Sequence, residues 1–120
     1  MDVTMKNISL ALLLVTSLLS GQASAGNIQD ARVTWIRVDS SGIGMVFFDK
    51  TIASSPTCIN ATAYKNALAF DSNTSGGKSI LSSSIAAKAM GAVVVAYGKN
   101  TCAIFNGAHV EDMDYMIFGL

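Results

Sequence analysis

Residues 78–97 read KSILSSSIAAKAMGAVVVAY, and this stretch decides the fold. Leu81, Ile85 and Ala89 recur at four-residue spacing, with Ile80 and Ala87 beside them. That period predicts a helix over Lys78–Met90 with one apolar face. Ser75 or Ser79 is placed to cap its start, and Gly91 to end it in the left-handed conformation that glycine adopts cheaply. Three consecutive valines follow, so Ala92–Tyr97 predicts a strand.

Outward from this block the chain alternates strands with turn clusters. Ala31–Asp39 is rich in Val, Thr, Ile and Trp and ends in the turn Asp39-Ser40-Ser41-Gly42. Ile43–Asp49 is apolar almost throughout, so the two predict a hairpin. Ala61–Phe70 predicts a third strand, although its alanine-rich half, Ala63–Phe70, suits a helix equally. Two long loops cover Asp71–Gly77 and Gly98–Ala108, and a last strand covers His109–Phe118.

The order is strand, strand, strand, helix, strand, strand. It predicts a mainly β fold with one helix: a five-stranded OB-fold-like barrel whose helix lies between strands three and four. An open α+β sheet is the rival architecture.

The N-terminus has a different character. Lys6 precedes an apolar run from Ile8 to Leu19, and Ala23-Ser24-Ala25 follows. A basic start, a short apolar core and an A-x-A site make residues 1–25 a secretory signal peptide, and the run is too short to span a bilayer. Residues 26–120 then form one small domain, secreted or periplasmic. Asp2 and Lys6 leave with the signal, so the remainder stays neutral, as the whole chain is. A neutral chain lacks the basic footprint of a nucleic-acid binder.

Both cysteines, Cys58 and Cys102, lie after the signal, and an even count in an exported chain predicts a disulfide. A domain of this size buries a thin core and benefits from such a staple.

No constellation of catalytic residues or cofactor motif stands out. Ser75-Gly76-Gly77-Lys78-Ser79 suggests a phosphate loop, but the required earlier glycine is replaced by Ser72. His109, the only histidine, could act as a base or join Glu111, Asp112 and Asp114 at a cation. No motif sets a nucleophile against it, and two carboxylates on a strand face fall short of a calcium site, so a solvated face is the plainer reading of Asp112 and Asp114. Trp35 suits a binding surface, yet a core or subunit-interface tryptophan is the commoner case. Asn60-Ala61-Thr62 and Asn73-Thr74-Ser75 match the glycosylation sequon.

In barrels of this kind the ligand surface lies on strands two and three and in the loops joining strands one to two and four to five. Those loops hold Asp39, Ser40, Ser41, Asn100 and Asn106, whose polar groups can hydrogen-bond sugar hydroxyls. The strands add an argument about assembly. Ile43, Met45 and Phe47 lie opposite Val46 and Phe48, and the fourth strand is likewise apolar on both faces. One short helix cannot cover all of these faces, which predicts a second cover, most simply another copy of the chain.

The block Lys78-Ser79-Ile80-Leu81, Ala86-Ala87-Lys88-Ala89-Met90-Gly91, Val93-Val94-Val95 and Gly98-Lys99-Asn100-Thr101-Cys102 resembles the helix, strand and cysteine block of subtilase cytotoxin B-subunit-like proteins. The resemblance spans Cys58–Cys102. It implies an exported OB-fold that assembles as a pentamer, binds cell-surface glycans and has a catalytic toxin subunit as partner. The family's receptor-contacting residues fall in stretches that do not align, so none is carried over. The alternative is a periplasmic structural or stress-related OB-domain with a protein partner. An enzyme using His109 with Asp112 or Asp114 is the third reading.

Overall fold

The computed structural model describes residues 25–105 and 109–119. The signal-peptide reading of residues 1–25 falls almost wholly outside them. The elements are β1 (Asn27–Ala31), β2 (Val33–Val38), β3 (Ile43–Phe48), β4 (Ala67–Asp71), α1 (Ser75–Met90), β5 (Val94–Gly98) and β6 (Glu111–Phe118). Among the described residues the fold is mainly β with one helix, and the strands form a curled mixed sheet in the order β1-β5-β6-β4-β3-β2. All neighbours run antiparallel except β4 and β6, which are parallel.

Six strands stand where five were expected. The added one, β1, occupies Asn27–Ala31, just before the expected first strand. It is polar and short, and its hydrogen bonds come from distant β5. Only Arg32 separates β1 from β2, so the two outermost strands of the sheet order are consecutive in the chain. The bend at Arg32 is pinned on three sides. Its N–H donates to Asp49 Oδ1 at 2.8 Å, its carbonyl accepts from Asp49 N at 3.0 Å, and its Nε donates to Gly91 O at 3.2 Å. The last bond puts a cation on the carbonyl end of α1, where the helix dipole favours it.

Thr74, rather than Ser75 or Ser79, caps α1: its Oγ1 accepts from Gly77 N at 2.9 Å. Gly91 ends the helix at φ 62°, as its sequence position predicts. The buried face of α1 runs through Gly77, Ser84 and Ala87, with Ile80 and Leu81 packed against the core. Ile85, expected on that face, is 53% exposed. Ser84 replaces it inside because its Oγ donates back to Ile80 O at 2.7 Å, which satisfies the buried hydroxyl. A Cβ at Gly77 would overlap the backbone of Asp71, so glycine lets the first turn press against β4. That is a packing role in the stretch that suggested a phosphate loop.

The expected third strand shrinks to β4. Before it, Asn60 Oδ1 accepts from Thr62 N and Ala63 N, and Asn60 O accepts from Tyr64 N. These bonds hold residues 60–64 in turns rather than a ladder.

Among the described residues two apolar clusters form the core. The larger lies between the sheet and α1 and contains Ile28, Val33, Val46, Phe48, Leu68, Phe70, Val94 and Met113 among others. The smaller lies on the outer face of β3 and β4, where Met45, Ala67, Ala69 and Val110 meet Phe47, Tyr64, Ile104 and Phe105. The Cys58–Cys102 disulfide joins the segments that supply Tyr64, Ile104 and Phe105. The chain's own loops therefore supply a second cover over β3.

Candidate functional site

A one-residue irregularity in β2 creates the most distinctive surface. The β2–β3 register shifts between Val33 and Trp35. Strict alternation would put Trp35 on Val33's side, in the core. The shift turns Trp35 outward opposite Phe47, and Arg37 follows opposite Met45. Trp35 is 73% exposed in the single chain, so of the core and subunit-interface positions expected for it the core one does not hold.

Trp35 stands between two shallow depressions. One, of about 410 Å³, is lined by Trp35, Ile36, Arg37, Phe47 and Asn66. The other, of about 420 Å³, is bounded by Trp35 with Thr34, Asp49, Lys50, Lys65 and Asn66 among its walls. An exposed indole is thus flanked by a guanidinium, an amide, two ammonium groups, a carboxylate and a hydroxyl.

Several of these groups are held in place. Arg37 pairs with Asp39 through both forks, Nε to Oδ1 at 2.7 Å and Nη2 to Oδ2 at 3.1 Å. The hydrogen bond to Asp39 raises the Arg37 pKa above its ordinary value, so the group stays cationic. The guanidinium also lies 5.0 Å from the centre of the Phe105 ring. Asn66 Nδ2 donates to Phe48 O at 2.9 Å, which leaves its Oδ1 for another donor.

The two loops expected to carry ligand therefore meet at Arg37, but through Asp39 and Phe105. Ser40 is exposed at the turn. Ser41 serves the turn instead: its carbonyl accepts from Asn73 Nδ2 at 2.7 Å. Asn100 is left-handed at φ 62°, and its N–H is committed to Glu111. Asn106 lies outside the described residues.

The acidic run of β6 is not the solvated face its pattern suggests. Asp112 is 3% exposed, accepting from Thr101 Oγ1 at 2.7 Å and from Ala103 N and Ile104 N at 2.9 Å each. It shapes the loop that carries Cys102 and Phe105. Glu111 is buried beside it, while Asp114 is exposed. The cause is a second register shift, between Tyr97 and Gly98 in the β5–β6 pairing, which breaks the alternation at Asp114. His109 is exposed, and its carbonyl accepts from Asn60 N at 2.8 Å. Among the described residues no group of three His, Cys, Asp or Glu side chains gathers to hold a metal ion.

Among the described residues nothing covers the outer face of β5 and β6. Tyr97 and Tyr115 stack there at 4.9 Å, Val95 pairs with Ile117, and Val93, Tyr115 and Ile117 are exposed. Among the described residues no helix is long and apolar enough to cross a membrane. The chain matches no family model, no curated protein and no solved structure.

Proposed function

We propose that this chain is an exported cell-surface-binding subunit, of the toxin B-subunit type, that recognises glycans through the Trp35 face of an OB-fold barrel. The observation that carries the reading is Trp35 itself, 73% exposed between depressions walled by polar and charged side chains. Leaving an indole in water has a cost that a structural tryptophan avoids. A flat ring ringed by donors and acceptors suits a ligand with an apolar C–H face and a hydroxyl rim, which describes a sugar.

The barrel reading is supported by the strand order. With β1 and β2 taken as one strand bent at Arg32, the order closes on itself with a single parallel pair, β4–β6. The helix then falls between the third and fourth of five strands. The disulfide supports an oxidising compartment, secreted or periplasmic.

Assembly as a homo-oligomeric ring, pentameric by the resemblance, is supported by the uncovered Val93, Tyr115 and Ile117. Shallow sites are individually weak, and several presented together gain about 10²–10⁴-fold in avidity. A catalytic toxin subunit remains the proposed partner of such a ring. A glycan array read with the oxidised protein, together with its native mass, tests the reading. An oligomer that retains a glycan class supports it, and a monomer that retains none overturns it.

A further inference from the structure

Glu111 is 1% exposed, and among the described residues its Oε1 has no hydrogen-bond partner. Its Oε2 accepts from Asn100 N and Gly26 N, both at 2.9 Å. Both donors are neutral amides, and among the described residues no salt bridge reaches this carboxylate. A buried carboxylate without a cation loses hydration that hydrogen bonds from amides recover only in part.

The surroundings are cut to fit the group. A Cβ at Gly26 would overlap Oε1, and a Cβ at Gly98 would overlap the carboxyl carbon. Gly26 is also the residue that follows Ala23-Ser24-Ala25. Its position is set from downstream: its carbonyl accepts from Gly98 N at 2.8 Å, and Asn27 and Ala53 exchange backbone hydrogen bonds at 3.0 and 2.9 Å.

We propose that the missing cation is the chain's own new N-terminus. Hydrolysis of the Ala25–Gly26 peptide bond by a signal peptidase adds one water. Ala25 departs with a carboxylate, and the α-amine of Gly26 takes up a proton as an ammonium. That ammonium keeps the Gly26–Glu111 hydrogen bond, adds a full positive charge, and offers further N–H groups beside Oε1. Cleavage thereby makes a buried ion pair that closes the β1 edge against β5 and β6, so the domain reaches full stability only after export. This rests on residues 1–25 being a secretory signal.

The N-terminal mass of the exported protein tests that underlying reading: a chain beginning at Gly26 supports it, and any other start overturns it. The ion pair is tested separately on chains prepared to begin at Gly26. In the folded protein the α-amine should acylate at least about 10-fold more slowly than the exposed lysines, as expected of a paired, buried group. Retaining Ala25, or acetylating Gly26, should raise the unfolding constant by about 100-fold. In Glu111→Gln the same extension should have an effect at least about 10-fold smaller. A Gly26 amine as reactive as lysine, or an extension that costs nothing, overturns the proposal. The labelling and acetylation arms need no variant and stand even where Glu111→Gln does not fold.

Discussion

Gly98 has no room for a side chain, because its neighbour is the buried Glu111 carboxyl rather than solvent. Gly98→Ala should cost about 1–3 kcal/mol through overpacking, read as a lower urea midpoint with an unchanged slope. Trp35→Ala should behave oppositely. The side chain is exposed, so stability should move by no more than about 0.5 kcal/mol, while glycan affinity falls about 10-fold or more. Little of this was visible in sequence. Trp35 and Asp112 both sit next to one-residue register shifts, in β2 and between β5 and β6. Such a shift reverses the facing of everything beyond it, yet it leaves no mark in composition. Asp39 was placed at the site by its loop, but its task of clamping Arg37 emerges only from the fold.

At the scale of elements, α1 and β5 were the most legible, because their signals are local: a helical period, a capping glycine and a run of valines. The helix face was misread by part of a turn, since Ser84 can be buried once its hydroxyl finds Ile80 O. Ile85→Ser should therefore change stability by no more than about 0.5 kcal/mol, whereas Ala87→Leu, on the fully buried face, should cost about 1–3 kcal/mol; thermal unfolding of the two distinguishes the faces. β1 and the full turn structure before β4 escaped because their bonds are non-local or made by one side chain, Asn60. The disulfide was legible from the cysteine count, but not its task of clipping two loops over Met45 and Ala69. Replacing Cys58 and Cys102 by alanine should cost up to about 4 kcal/mol by the chain-entropy relation for a separation of 44 residues. The loss should appear in denaturant melts, and the smaller cluster should exchange its amides first.

At the scale of the molecule, the doubly apolar strands divide into two cases. The outer face of β3 and β4 is closed by loops of the same chain, and among the described residues that of β5 and β6 is open. Only the second supports assembly. If the proposed ring forms, Ile117→Asp should lower its native mass without unfolding the subunit, because Ile117 is 57% exposed in the single chain. The proposed export, Gly26–Glu111 pair and ring each bear on when and where the protein acts, and the Trp35 face bears on the function proposed for it. The most direct measurement compares the oxidised protein beginning at Gly26 with its Trp35→Ala variant on a panel of immobilised cell-surface glycans. The account predicts that the parent protein retains at least one glycan class and that the variant, equally folded and equally oligomeric, binds it about 10-fold more weakly or not at all. Binding of no glycan, or equal binding by both proteins, would contradict it.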